Sequence, residues 1–376
     1  MQFAFTDEQV EFRSILRRFL ESRSPTPEVR RLMETDAGYD PAVWRQLTGE
    51  LGLAGVHIPE EYGGQGFGFV ELGIALEEMG RALLCAPFFS TVALAATAIL
   101  NGADEAQKRA LLPKIAAGET IATLAFTEDD GRWEMESVAA TASTAEGGYR
   151  LDGVKSFVVD GHVADMIVVL ARRPGSNGRD GLSLFAVAGD APGLERRLLK
   201  TMDPTRKLAR LTFRSVPAQL LGTEGAAAAG FARTLDQAAA CLANEMVGGT
   251  ERLFQQAMDY ALMRVQFGRQ IGSFQSMKHK AADMLLEVEM AKSAAYYAVA
   301  AAAVEAADFP AAASLAKACA AETYMQTAIH TIQIHGGIGF TWDQDCHLWF
   351  KRAKSSEVML GDPGHHRELM MQRWPA

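Results

Sequence analysis

The chain has 376 residues, 48% of them hydrophobic and 22% charged, which is enough to bury a large core and too apolar for a disordered polypeptide. Asp and Glu number 46 against 37 Lys and Arg, a formal net charge of −9. With no basic tract, this excludes general binding to nucleic acid or to an anionic membrane surface and leaves only local basic sites for phosphorylated ligands.

The four cysteines, Cys85, Cys241, Cys319 and Cys346, form no C-x-x-C pair, so they read as free thiols and no metal site is indicated. The start, Met1-Gln2-Phe3-Ala4-Phe5-Thr6, has neither a charged region ahead of an apolar run nor the Arg-rich character of a transit peptide. The stretch Ala294 to Ala307 carries Glu305 and is too short to span a bilayer. The expectation is a cytoplasmic protein, or a matrix protein whose presequence has been removed.

Residues 1–119 read as an N-terminal helical domain. Thr6 precedes acids in a first turn, and Phe12, Ile15, Leu16, Phe19 and Leu20 follow at helical spacing. A short helix is expected around Val43 to Leu51, a longer one from Val70 to Leu84, and another from Ala106 to Leu112, which Pro113 should end. Residues 120–222 change to strand and turn signals. Ile121–Phe126 is followed by Tyr149–Leu151, a turn at Asp152-Gly153, then Lys155–Val159, Met166–Leu170, Leu182–Ala188 and Leu208–Phe213. That is a compact antiparallel β-barrel-like domain. From 226 to 376 the chain is helical again, over Phe231–Arg264, Met284–Ala307, Ala311–His335 and Asp345–Met359, broken by Gly336-Gly337-Ile338-Gly339. The class is α+β, a β domain between an N-terminal helical domain and a C-terminal four-helix bundle.

Several motifs carry chemistry. Arg264 offers a permanently charged donor fork suited to phosphate, and Gln275 and Gln333 can each donate and accept. Gly336 and Gly337 leave backbone unshielded. The run Tyr260-Ala-Leu-Met-Arg264-Val-Gln266-Phe267-Gly268-Arg-Gln-Ile271-Gly-Ser-Phe274-Gln275 resembles the acyl-CoA dehydrogenase signature. So does Ile332-Gln333-Ile334-His335-Gly336-Gly337-Ile338-Gly339-Phe340. Leu151-Asp-Gly153-Val-Lys155-Ser-Phe157-Val-Val159-Asp-Gly161 and Phe126-Thr127-Glu128 resemble that family's middle domain.

The resemblance implies FAD held between the β domain and the late helices, its pyrophosphate reaching a neighbouring subunit. Arg264 would then meet a phosphate, and Gln275 and Gln333 would meet phosphate, ribitol or adenine. Phe267, Ile271 and Phe274 would pack the adenine side, with Gln266 and Ile334 in the same motifs. Phe126 and Thr127 would lie at the pyrimidine end. Phe157 stands where the family often has Trp at the flavin face, Val159 where it often has a hydroxyl-bearing Thr, and Trp133 near a usual small hydroxyl residue.

The implied reaction is α,β-dehydrogenation of an acyl-CoA, for which a carboxylate must remove the α proton. At the two positions where the family places that Glu, this chain has Leu360 and Ala238, the latter followed by Ala239. Glu245, about two turns from Ala238, is a candidate relocated base, and Asp362 a second. Alternatively the chain is the non-catalytic subunit of a hetero-oligomeric acyl-CoA dehydrogenase, as the tail from Gly339 to Arg367 suggests for steroid-degrading relatives, or it binds acyl-CoA or flavin without turnover. The two small residues at 238 and 239 hint at room for a branched or ring-bearing acyl group. The resemblance further implies lipid metabolism by β-oxidation, an electron-transfer flavoprotein as acceptor, and a homo-oligomer (tetramer or dimer) or hetero-oligomer.

Overall fold

The computed structural model describes residues 5–374; Met1–Ala4, on which part of the leader reading rests, lie outside the described residues. The first helices are α1 (Asp7–Arg23), α2 (Thr26–Met33), α3 (Pro41–Arg45), α4 (Phe69–Arg81), α5 (Thr97–Gly102) and α6 (Glu105–Ala116). Strands follow: β1 (Ala122–Ala125), β2 (Thr141–Ala145), β3 (Gly148–Val159), β4 (Met166–Arg172), β5 (Leu182–Ala188), β6 (Leu194–Leu198) and β7 (Leu208–Leu221). Then come α7 (Ala227–Met263), a hairpin of β8 (Val265–Gln266) and β9 (Arg269–Gln270), and α8 (Gln275–Ala303), α9 (Phe309–His335), α10 (Cys346–Val358) and α11 (Pro363–Arg373). Among the described residues no helix is long and apolar enough to cross a membrane.

The chain folds into two compact units. One comprises Met1–Arg30, Phe69–Leu84 and Ala239–Ala376; the other comprises Arg31–Gly68 and Cys85–Ala238. The first unit is helical apart from the β8–β9 hairpin. Its α1 starts with a capping box, in which the Thr6 hydroxyl accepts from the Gln9 N–H at 3.3 Å and the Gln9 side chain accepts from the Thr6 N–H at 3.0 Å. The backbones of α4 and α7 touch where glycines remove the side chains. A Cβ on Gly80 would fall 1.9 Å from the Glu245 carbonyl oxygen, and one on Gly248 would fall 1.8 Å from that of Glu77. Helices α8 and α9 run antiparallel, and Lys280 reaches His330 at 3.1 Å between them. The alanines of their inner faces are buried, which lets the helices pack closely.

The second unit holds the sheet, in the order β1-β4-β2-β3-β7-β5, with β6 on β7 and a β4–β5 pairing that closes it into a barrel. Pairing is mostly antiparallel; β1–β4 and the single β2–β4 bridge are parallel. Leu151, Ile167, Val169, Phe185, Leu211 and Val216 fill its interior.

Two turn signals were misread. Asp152-Gly153 is not a turn: β3 runs unbroken from 148 to 159, and Gly153 marks a bulge at φ +140°, where a Cβ would fall 2.7 Å from that of Ala140. Bulges and turns both call for glycine, so the residue alone did not separate them. Nor does Pro113 end its helix. It sits in the last turn of α6, where only one N–H bond is lost, and its own carbonyl still accepts from Ala117 at 3.0 Å.

A buried cation supports the loop after β1. Lys155, fully buried on β3, donates to the Phe126 carbonyl at 3.0 Å and to Glu128 at 2.8 Å. Burial pushes its amine down to about 8 while Glu128 pulls the other way. Glu128 also accepts from the N–H groups of Ala139 and Ala140. Replacing the ammonium by Lys155→Met leaves Glu128 without its cation and should lower unfolding free energy by about 3 kcal/mol, read from urea midpoints; an unchanged midpoint would show that the pair carries no stability.

Candidate functional site

In the sheet-bearing unit, the residues expected at the cofactor ring cluster around the loop after β1. Phe126 packs edge-on against Phe231, centroids 5.5 Å apart, which fixes the chain entering Thr127. The Thr127 carbonyl accepts from the Ser156 N–H at 2.9 Å, whereas its own N–H and hydroxyl carry no bond among the described residues. Ser156 and the bidentate fork of Arg210 (2.9 and 2.7 Å) both hold Asp129, which drops to about 2 under those bonds.

Phe157 lies at the second register shift of β3. Its φ is +58° and its side chain is 48% exposed. A left-handed conformation costs a non-glycine residue about 1–2 kcal/mol, and exposing the ring adds to that, so this aromatic plane is held outward against both local preferences. Val159, in contrast, is buried, and its carbonyl accepts from the Thr123 hydroxyl at 2.6 Å. Trp133 is half-buried in the loop before β2.

In the helical unit, the other expected residues gather at one end. The antiparallel register set by Lys280 and His330 places Gln275, at the start of α8, beside the end of α9 that carries Gln333. The end of α7 joins them, where Tyr260 stacks on His335 at 4.3 Å. A small core including Ala257, Ala261, Met284, Ile271 and Ile334 seals this end, so Ile334 is buried and serves packing. Arg264, Gln266, Gln275, Gln333, Gly336 and Gly337 are exposed. Arg264 makes no side-chain bond among the described residues, and a Cβ on Gly336 or Gly337 would meet nothing within 4 Å.

The hairpin turns through Phe267 (φ +52°) and Gly268 (φ +78°), both left-handed as a tight two-residue hairpin turn requires. That turn leaves Phe267 92% exposed, with Phe274 6.2 Å away and Arg269 stacked on Phe274 at 4.0 Å. A phenylalanine left bare at a hairpin tip is a surface that a ligand or a second chain could cover.

The acids singled out by sequence are otherwise engaged. Glu245 is buried and accepts from Arg352 at 2.9 Å, with only 7% and 5% of the two side chains exposed. Asp362 caps α11, accepting from the His365 N–H at 2.8 Å. Leu360 sits at φ +62° in the link between α10 and α11. Ala238 and Ala239 are both fully buried, so neither faces open space.

Two groups beneath Leu360 escaped the sequence reading. Lys317 has no exposed surface, and its ammonium donates to the carbonyls of Gly361 (2.8 Å) and Glu357 (3.2 Å). The His366 ring N–H donates to the Leu360 carbonyl at 3.0 Å. Burial pushes Lys317 down to about 7, and burial together with the Lys317 charge pushes His366 down to about 3. Both bonds therefore survive at neutral pH, with His366 uncharged. The available signal was Lys317 as the lone charge in the run Ala311–Ala321, which an exposed helix face would not show.

Between about pH 7 and the ordinary lysine range near 10 the unfolded chain keeps a proton that folded Lys317 releases, so its contribution makes stability rise with pH across that window. Lys317→Met should flatten that rise in urea midpoints taken across the window. A variant that rises as the wild type does would remove Lys317 as the source.

Comparison with known proteins agrees with this layout. Three family models match in order: acyl-CoA dehydrogenase N-terminal domain over residues 6–119, middle domain over 123–216 and C-terminal domain over 219–374. The acyl-CoA dehydrogenase IpdE2 of Mycobacterium tuberculosis is 35% identical over 339 residues, covering 89% of this chain and 87% of that protein. A solved variant of the Tcur3481-Tcur3483 steroid ACAD superposes with a TM-score of 0.87 at 31% identity, covering 97% of both chains. Butyryl-CoA dehydrogenase from Megasphaera elsdenii superposes with a TM-score of 0.92 at 26% identity and 99% coverage of both. Matched along nearly its whole length, the chain belongs to the acyl-CoA dehydrogenase family.

Proposed function

We propose that this chain serves FAD-dependent α,β-dehydrogenation of an acyl-CoA thioester as the FAD-holding, base-lacking member of a hetero-oligomer. The carrying observation is that both acids put forward as a relocated base are committed elsewhere. Glu245 is locked to Arg352, Asp362 caps a helix, and position 360 is a leucine. A proton acceptor must lie within hydrogen-bond reach of its substrate with a lone pair to spare, and a buried carboxylate already paired with a buried guanidinium is poorly placed for either need. The two designations in the name of the Tcur3481-Tcur3483 steroid ACAD support a two-chain reading.

The residues present fit FAD. Thr127 has an unspent N–H and hydroxyl, Phe157 offers an exposed aromatic plane, Arg264 an unpaired guanidinium, and Gly336 and Gly337 open backbone. Bound FAD supplies the hydride acceptor for the β carbon. The protein's own part is to orient. Thr127 would hold the pyrimidine edge, Phe157 would cover a ring face, Arg264 would neutralise a phosphate, and Gln275 and Gln333 would fix the remaining polar groups, with Phe267 and Phe274 against adenine. The Leu360 N–H, aimed by the turn that Lys317 and His366 hold, would donate to the thioester oxygen and acidify the α C–H. An electron-transfer flavoprotein is the expected acceptor.

Phe157 argues against a chain that only lends Arg264 and the glutamines to a partner's cofactor, since such a subunit would not need a strained, exposed aromatic in its own sheet module.

The experiment loads the purified chain with FAD, adds a panel of acyl-CoAs and an electron acceptor, and follows the visible flavin band. The wild type alone should not bleach. Leu360→Glu, or addition of a second acyl-CoA dehydrogenase chain encoded beside it, should raise bleaching by about a hundredfold or more, the usual worth of a positioned base. Rapid bleaching by the wild-type chain alone that Glu245→Gln abolishes without loss of flavin would overturn the proposal and make Glu245 the base.

A further inference from the structure

Away from the end that carries Arg264, the helical unit contains a second concentration of positive charge. Helix α1 turns Arg13, Arg17 and Ser24 toward α4, which answers with Glu77 and Glu78. Arg13 bonds Glu77 at 2.5 Å and approaches Glu78 at 3.4 Å. Arg17 takes Glu78 through two bonds of 2.9 and 2.7 Å. Tyr296 donates to Glu77 at 3.0 Å, and Lys292 pairs with Glu251 at 2.5 Å. Each of these carboxylates is thus engaged by a cation, although the second oxygen of Glu77 is buried without a hydrogen-bond partner.

Two guanidiniums remain. Arg81, one turn beyond Glu77 and Glu78, and Arg252 on α7 make no hydrogen bond or ion pair among the described residues. Arg81 is half-buried, and burial together with the like charge of Arg17 lowers its proton affinity. Both line a cavity of about 360 Å³ with Arg17. Its wall also includes Thr26, the first residue of α2, whose N–H and hydroxyl are likewise unspent, so the positive end of that helix opens on the same space. Two acids line it as well: Glu78, whose oxygens Arg13 and Arg17 take, and Glu21, which is exposed and pairs with nothing among the described residues. The charges of Glu78 and Glu251 reach Arg81 only through space, and a half-buried guanidinium whose donors bond nothing is a costly arrangement; here two of them share a walled space with a helix N-terminus.

We propose that this cavity binds a phosphate group, either as inorganic phosphate or as the end of a phosphorylated metabolite. Guanidinium forks match phosphate oxygens in pairs, and the unspent donors of Thr26 complete the set. Arg252 lies 11 residues before the end of α7 at Met263, about 17 Å along its axis, and Arg264 follows that end, so this is not the place where Arg264 would meet a dinucleotide. The proposal does not rest on the dehydrogenase reading.

The test uses the FAD-loaded chain at constant ionic strength, with thermal midpoints and calorimetric titration. Inorganic phosphate should raise the wild-type midpoint saturably and bind at one site that Arg81→Gln and Arg252→Gln weaken tenfold or more, with flavin content unchanged. Without phosphate, Arg81→Gln should melt no lower than the wild type, because it removes a half-buried charge that bonds nothing. A sugar phosphate that binds more tightly than inorganic phosphate identifies the metabolite form, and equal binding identifies the free ion. The proposal is overturned if phosphate binds Arg81→Gln as well as the wild type, if the wild type shows no saturable binding, or if phosphate-free Arg81→Gln melts several degrees lower, as loss of a structural contact would make it do.

Discussion

An ammonium with no carboxylate bonded to it, Lys317, is kept inside the helical unit by the carbonyls of Glu357 and Gly361, and the path of the chain through Leu360 depends on it. Two carbonyl bonds replace the water that a buried charge would otherwise lose. They also stop the last turn of α10 from running straight into α11. His366 takes the next carbonyl, that of Leu360, and Asp362 caps the helix that follows. A left-handed leucine is tolerated because these contacts over-determine the turn. The backbone is therefore held in place at the position that the sequence resemblance assigns to the acid, although the side chain there cannot take a proton.

The same separation of scaffold from chemistry recurs in the sheet-bearing unit. Lys155 and Glu128 anchor the loop after β1, and Asp129, Ser156 and Arg210 fix its far side. Between these anchors Thr127 keeps its donors free and Phe157 is turned outward. Strain and exposure at Phe157 and Phe267 mark surfaces shaped for something other than their own stability. At both places the chain keeps the groups that would hold a cofactor, while the acids are drawn into ion pairs and caps.

Much of this was legible in the sequence, for physical reasons. Thr6 and Gln9 announced α1 because a capping box is local. The helix-sheet-helix order followed from the change in hydrophobic period. Bounds were less legible: α8 begins at Gln275 rather than Met284, because its exposed first turns carry little apolar signal. Helices α2 and α11 are too short and too polar to stand out. At the candidate site, Arg264, Gln275 and Gln333 were found through motifs. Arg352 was not, because a charge that pairs across the fold leaves no mark at its own position. Lys317, Arg81 and Arg252 were missed similarly, since sequence does not say which cations find a carboxylate.

As proposed above, this chain holds the flavin yet lacks a group to remove the α proton of a bound acyl-CoA. Solvent exchange tests this without needing an electron acceptor. The FAD-loaded chain is incubated with an acyl-CoA in deuterium oxide, and the thioester is analysed by mass spectrometry. Retained flavin and no deuterium at the α carbon beyond the protein-free control are expected. Deuterium entering that position with the wild-type chain alone would contradict the proposal.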